Sequence, residues 1–263
     1  MAPAVSVLMG VRDSARWLGA ALESVWAQTA GDLELIVVDD GSTDATPDLL
    51  ASVRDPRLRV ERQLPAGLAP ALNRALGLAR APLVARLDGD DVSLPQRLSR
   101  QCDFLATHPE VGLLGTAARE VDEAGREAGV VRPPEADRAI RRALIRRNPF
   151  VHSSVMMRRA LVEQVGGYDV SFTVAQDYDL WLRLSGITRM ANLGEPLVIR
   201  RLVPGRVTAI RDSERLRAEA RARWGAVRRG TYPSWCAVFA LRPALALAAP
   251  LPVRRALRRA LGR

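Results

Sequence analysis

Two acidic clusters, each closing an apolar run, are the residues of this chain best suited to do chemistry. The first is Leu35-Ile36-Val37-Val38-Asp39-Asp40-Gly41-Ser42-Thr43-Asp44, and the second is Pro82-Leu83-Val84-Ala85-Arg86-Leu87-Asp88-Gly89-Asp90-Asp91. A β-branched run that meets Asp and Gly reads as a buried strand stopping at a loop. In open α/β sheets, ligands bind outside the carboxyl ends of the strands. Carboxylates crowded there repel one another, and a cation or a hydrogen-bonding ligand compensates. Oxygen donors suit Mg²⁺ or Mn²⁺, and Mg²⁺ is commonly held by one or two carboxylates, with water and substrate phosphate completing its shell. Asp88 and Asp90 fit that pattern, and Gly89 between them lets the backbone approach a ligand closely.

Asp39 and Asp40 can accept hydrogen bonds from a nucleobase or ribose, while Asp40-Gly41-Ser42 equally suits a turn or cap. A third acidic site is Gln176-Asp177-Tyr178-Asp179-Leu180-Trp181-Leu182-Arg183, with Asp177 at the mouth of an expected helix. A carboxylate there serves as a general base or as a helix N-cap. His152, within Asn148-Pro149-Phe150-Val151-His152-Ser153-Ser154, either lines an acceptor or diphosphate site or is structural. Arg200, Arg201 and Arg206 are candidates to hold a diphosphate, although Arg is too common in this chain for that to carry weight, and Trp181 is expected in the core. No Gly-X-Gly-X-X-Gly follows the first strand, and a chain without Lys has no Gly-X-X-X-X-Gly-Lys-Ser/Thr loop. Both facts argue against dinucleotide-binding and P-loop readings.

The elements that must position these groups alternate. Strands are expected at Ala4–Met9, Leu33–Val38, Leu58–Arg62 and Leu83–Leu87, with helices at Ala15–Gln28, Asp44–Val53 and Leu68–Ala79 between them. The first helix places Trp17, Leu18, Ala21, Leu22, Val25 and Trp26 on one face. Such β-α-β order implies a largely parallel sheet with right-handed crossovers. Beyond Asp91 the spacing predicts helices at Pro95–Thr107, Glu135–Arg147, Ala160–Val165 and Asp177–Leu184. It also predicts a strand pair from Val111 turning at Asp122–Gly125, and strands at His152–Arg158 and Leu197–Leu202.

The 39 basic residues are all Arg and outnumber 29 acids, for a net charge of +10. Arg crowds residues 138–147, 211–229 and 254–263, which favours an anionic surface, lipid or nucleic acid. Trp235–Leu251 is mostly apolar but is interrupted by Arg242, Pro243 and Pro250, so it reads as an amphipathic element on a membrane face or as a packed helix, not a span. Cys102 and Cys236 lie far apart and suggest neither a disulfide framework nor a metal site, as in a reducing cytosol. Met1–Val11 lacks the basic start of a secretory signal.

The chain resembles the family-2 inverting, nucleotide-sugar-dependent glycosyltransferases of GT-A fold. The resemblance runs from about Val5 to Leu202 through Val5-Ser6-Val7-Leu8-Met9, the Asp39 block, Ala71-Leu72-Asn73-Arg74-Ala75, the Asp88 block, and Val165-Gly166-Gly167-Tyr168-Asp169 leading to Asp177-Tyr178-Asp179-Leu180-Trp181. It implies an α/β fold with a mostly parallel central sheet flanked by helices. It further implies a transferase domain at 1–205, divided into a nucleotide-binding half (1–92) and an acceptor-side half (93–205), before an Arg-rich helical tail (206–263). By the same resemblance Asp39 contacts the base, Asp88 the ribose and diphosphate side, Asp90 a Mg²⁺ or Mn²⁺ ion, and Asp177 is the catalytic base. Gln176 stands where the family often has Glu. The implied partners are a nucleotide-diphosphate sugar and a glycan or lipid-linked acceptor, at the cytoplasmic face of a membrane. Two rivals are a nucleotidyltransferase of similar architecture and a non-enzymatic binder of anionic polymers through the Arg tail.

Overall fold

A computed structural model describes residues 3–203 and 212–241 of the chain. Among these residues one sheet has nine strands in the order β3 (Leu58–Arg62), β2 (Leu33–Asp39), β1 (Val5–Val11), β4 (Leu83–Arg86), β8 (Met156–Arg158), β6 (Val111–Val121), β9 (Arg189–Arg201) and β5 (Val92–Ser93), with β7 (Glu127–Val131) paired to β6. The first half is the expected parallel unit: β1 (Val5–Val11), β2 (Leu33–Asp39), β3 (Leu58–Arg62) and β4 (Leu83–Arg86). Their crossovers are α1 (Ala15–Trp26), α2 (Thr46–Ser52) and α3 (Leu68–Leu78). Strand alternation divides the core between the two sheet faces. Val7, Met9, Leu35 and Val37 pack with α1 residues Leu18, Ala21, Leu22 and Val25, while Leu8, Ile36 and Val38 pack with α3 residues Ala71, Leu72 and Ala75. Trp17 and Trp26 are only partly covered; guanidinium groups of Arg16 and Arg201 stand over Trp17, and that of Arg57 over Trp26.

The second half is mixed. After β5 (Val92–Ser93) and α4 (Arg97–Thr107), β6 (Val111–Val121) turns at Asp122–Gly125 into β7 (Glu127–Val131). The Asp122 carboxylate fixes that turn by accepting the N–H groups of Ala124 and Arg126. Next come α5 (Asp137–Leu144), a 3₁₀ turn at His152–Ser154, β8 (Met156–Arg158), α6 (Arg159–Gln164), α7 (Gln176–Leu184) and β9 (Arg189–Arg201). The strand expected from His152 starts four residues later. The Ser154 hydroxyl and N–H both turn back to the Val151 carbonyl, a local alternative that competes with the ladder. Conversely, β9 begins eight residues before the expected Leu197. Gly194-Glu195-Pro196 reads as a break in sequence, yet it forms a bulge: Thr116 pairs Leu193 and Ala117 pairs Pro196.

The last described elements are α8 (Asp212–Arg228) and a 3₁₀ turn at Ser234–Ala237. Ala222 and Ala226 of α8 join the core cluster that contains Tyr178, Leu180 and the fully buried Trp181. Among the described residues, no helix is long and apolar enough to cross a membrane. Arg206, and the expected tail residues beyond Leu241, lie outside the described residues.

Candidate functional site

The carboxyl ends of three neighbouring strands carry the acids. Asp39 ends β2, and Asp88 stands two residues beyond β4, with β1 between those two strands. Two strand spacings of about 4.8 Å put these ends on the order of 10 Å apart. The loops around them are tied together by their own side chains. Asp13, with φ +49°, accepts the N–H of Thr43 at 2.8 Å, and its own N–H donates to Ser42 Oγ at 2.9 Å. Asp44 accepts from the N–H groups of Ala15 and Thr46. Hydrogen bonds from Thr43 hold the Asp13 carboxyl below its ordinary value, and those from Thr46 do the same for Asp44.

The adjacent acids Asp39 and Asp40 differ in their surroundings. Asp40 is a clamp: Oδ1 accepts from Gln63 Nε2 and the Ala66 N–H, and Oδ2 from the Gly67 N–H, all at 2.8 Å. It thereby fixes the loop that enters α3. Asp39 is 1% exposed, and its Oδ1 accepts the Ser42 N–H at 2.9 Å. Its Oδ2 makes no hydrogen bond but forms an ion pair with Arg62 Nε at 3.3 Å. A buried carboxylate oxygen lacking a hydrogen bond is costly, and a ligand N–H or O–H would satisfy it.

Asp88, Asp90 and Asp91 converge, with one carboxylate oxygen from each lying within 4.8 Å of the others. Ser153 Oγ bridges two of them, at 2.6 Å from Asp88 Oδ2 and 2.5 Å from Asp91 Oδ2. One hydroxyl proton serves one carboxylate at a time. Arg86, fully buried, donates to the other Asp88 oxygen, and the Arg201 N–H donates to Asp91 Oδ1 at 2.9 Å. Burial first, and then the charges of Asp88 and Asp90, push the Asp91 carboxyl up to about 7. This crowding of oxygen donors fits a divalent hard cation, which would relieve the repulsion. Behind the cluster, Arg97 donates to the carbonyls of Arg86 and Val155; burial and the neighbouring Arg86 charge bring it down to about 9.

Gly89 also has a packing reason within the fold. A Cβ there would lie 2.9 Å from Val11 Cγ1 and 3.6 Å from Ser14 Cβ. The glycine lets the acidic loop press against the end of β1 and the start of α1.

Asp177 lies in the first turn of α7, but its carboxylate does not cap that helix. The N-cap is Ala175, with φ +58°, and Asp177 Oδ2 accepts from Asn148 Nδ2 at 2.7 Å. The preceding turn is held by Asn73, whose amide donates to the Tyr168 carbonyl and accepts the Tyr168 N–H. His152 connects the two acidic regions. Its Nε2 lies 3.0 Å from the Tyr168 hydroxyl, and its ring stands edge-on to Tyr168 and Trp181. Burial and the Arg86 charge lower the His152 pKa, against the opposing pull of both Asp177 and Asp88. Burial raises the Tyr168 hydroxyl above its ordinary value.

Asp39, Asp88 and Asp90 thus lie at or just beyond the carboxyl ends of β2 and β4, while Asp177 lies at the start of α7 and His152 in the 3₁₀ turn that also carries Ser153. Arg200 instead pairs with Glu120, while Arg201 stacks on Trp17 at 3.9 Å. Sequence reasoning assigned nothing to Asp91, Ser153, Asn148 or Asn73. Asp91 was legible as a third acid in the same loop; the other three act through contacts distant in sequence.

Comparison with known proteins bears on the family and the fold. Residues 6–166 match the model of glycosyl transferase family 2. The chain is 35% identical over 187 residues to EpsE of Bacillus subtilis, named as a glycosyltransferase, covering 69% of this chain and 66% of EpsE. It is 34% identical to the amylovoran biosynthesis glycosyltransferase AmsE of Erwinia amylovora, covering 69% of each. The match therefore spans about two thirds of the length of these relatives. Among solved structures, the mannosyltransferase PcManGT of Pyrobaculum calidifontis, in complex with GDP-Man and Mn²⁺, superposes with a TM-score of 0.64 at 21% identity, covering 100% of this chain and 80% of that one. With its GT-A architecture and the family match over most of the sheet, the chain belongs to glycosyl transferase family 2.

Proposed function

We propose that this glycosyltransferase moves a sugar from a nucleotide-diphosphate sugar to an acceptor hydroxyl with inversion, during synthesis of a cell-surface polysaccharide or glycolipid. The observation that carries the reading is the convergence of the Asp88, Asp90 and Asp91 carboxylates two strands from Asp39, whose Oδ2 accepts no hydrogen bond. Asp39 takes a hydrogen bond from the base, Asp88 positions the ribose and diphosphate side, and Asp90 is the principal ligand of Mg²⁺ or Mn²⁺. When bound, the metal neutralises charge on the departing diphosphate.

Asp177 accepts the proton of the acceptor hydroxyl as that oxygen forms its bond to the anomeric carbon. The bond from that carbon to the diphosphate oxygen breaks, and its electron pair leaves with the nucleoside diphosphate. Asn148 orients the Asp177 carboxylate. His152, disfavoured as a cation, holds the Tyr168 ring between the two acidic regions. Residues 1–92 serve the donor, 93–205 the acceptor, and 206–263 form a tail. The enzyme works on the cytoplasmic side, at the membrane that supplies its acceptor. The relatives' names support the metal and the surface-glycan role: PcManGT was solved with Mn²⁺, and AmsE is named for amylovoran biosynthesis.

The test is thermal melting against UDP, dTDP, GDP and CDP, each with and without Mn²⁺. Ligand at about 100 times its dissociation constant stabilises by roughly 2.7 kcal/mol. A metal-dependent shift with one nucleotide, lost in Asp90→Asn, supports the reading. No shift with any nucleotide refutes it.

A further inference from the structure

Charge divides this chain sharply at residue 219. Residues 1–219 hold as many Arg as Asp plus Glu, 29 of each, whereas residues 220–263 hold ten Arg and no acid. The net charge of +10 therefore belongs entirely to the end of the chain.

The described part of that end is also apolar on two sides. Trp235 to Leu241 contains no polar residue. Cys236, Phe239 and Ala240 turn inward and are buried. Trp235, Val238 and Leu241, three apart, remain 65%, 50% and 55% exposed. A helical segment that is apolar all round normally has both faces covered.

This segment is anchored to the acceptor side of the site. Arg223, itself buried, donates to the Phe239 carbonyl at 3.1 Å and to the Tyr178 hydroxyl at 2.9 Å. Tyr178 follows Asp177 on α7.

We propose that the Trp235, Val238 and Leu241 face seats on an anionic lipid bilayer, which holds the α7 side of the site toward an acceptor carried in that bilayer. The acceptor clause rests on the function proposed above; the seat does not. Tryptophan with aliphatic neighbours is the side-chain set of the membrane interface, and stable attachment takes an apolar contact together with a basic patch. The residues that follow, 242–263, add six Arg and no acid, which anionic headgroups attract. A second copy of the chain fits the face poorly, because pairing would bring two such cationic ends together. Nucleic acid would use the Arg residues but leave the apolar face exposed.

The experiment is co-sedimentation of the full chain with vesicles of phosphatidylcholine alone or mixed with phosphatidylglycerol, for wild type and Trp235→Glu/Leu241→Glu. Nucleotide-dependent melting of the same samples reports the donor site separately. Binding to the anionic vesicles at least tenfold above the neutral ones is expected. It should fall at least tenfold in the double variant, with the nucleotide shift unchanged. Equal binding to both vesicles, no binding to either, or a double variant that binds as wild type would overturn the seat. So would a wild-type dimer that the substitutions dissociate. Loss of the nucleotide shift in wild type would instead count against the proposed function and leave the seat standing.

Discussion

Asp39 and Asp40 are neighbours in sequence whose removal should have opposite signatures. Asp40→Ala takes away an acceptor of three hydrogen bonds, each at 2.8 Å, and strands the N–H groups of Ala66 and Gly67. Hydrogen bonds to a charged acceptor are worth about 1.5–3 kcal/mol each, and an unsatisfied buried donor costs about 1–3. Water will recover part of this at a half-buried loop, so about 3–5 kcal/mol is the expected loss. For a chain of this size 1 kcal/mol moves the melting point by about 2–4 °C. Asp40→Ala should therefore melt roughly 6–20 °C lower. Asp39→Ala removes one hydrogen bond, from Ser42, and the ion pair with the mostly exposed Arg62, but also removes a buried oxygen that has no hydrogen bond. Its stability cost should be within about 1 kcal/mol, while nucleotide affinity loses a charged hydrogen bond worth about 1.5–3 kcal/mol, or roughly ten- to a hundredfold. Differential scanning fluorimetry gives the first quantity and isothermal titration with nucleotide and Mn²⁺ the second. An Asp39→Ala protein that binds nucleotide like wild type, or an Asp40→Ala protein that melts like wild type, refutes the assignment.

Ser153→Ala removes the hydroxyl that bridges Asp88 and Asp91, and outer-shell losses of this kind cost about 10–100-fold in metal affinity; Mn²⁺ titration followed by electron paramagnetic resonance measures it. Gly89→Ala places a Cβ 2.9 Å from Val11 Cγ1, so it should destabilise by about 1–3 kcal/mol and weaken Mn²⁺ binding in the same titration. Glu34 supplies the pH dependence. Burial raises its carboxyl, but bonds from Ser6 and Arg80 outweigh that and leave it below its ordinary 4.5. A lowered folded-state pKa stabilises at neutral pH, and that contribution shrinks as pH falls below about 4.5 through the folded value. Glu34→Gln should thus melt lower than wild type at pH 7, and the gap should close in acid; a gap that widens in acid would contradict the assignment.

The parallel half of the fold and its acids were legible because short β-branched runs, helical spacing and terminal Asp-Gly pairs all agree there. The mixed half was less so. β9 crosses a Gly-Glu-Pro bulge in its pairing with β6, held also by Arg100 on Glu195 and Arg132 on the Gly194 carbonyl, and the 3₁₀ turn at His152–Ser154 depends on serine bonds back to the main chain. In the site, Asp88 and Asp90 could be read from one loop. The partners that orient the acids could not: Ser153 reaches Asp88 across 65 positions and Asn148 reaches Asp177 across 29. The different roles of Asp39 and Asp40 likewise follow from where the 63–67 loop lands, which no local pattern records.

In the proposed mechanism one group of acids binds the metal and donor while Asp177 moves the proton. The most direct measurement of this is the release of nucleoside diphosphate from the matching nucleotide sugar by wild type, Asp90→Asn and Asp177→Asn. Removing a general base costs about 10²–10⁴-fold in rate. The account predicts turnover by wild type and a loss of that size in Asp177→Asn, with its Mn²⁺-dependent nucleotide binding intact, whereas Asp90→Asn loses both. An Asp177→Asn protein that turns over like wild type would contradict it.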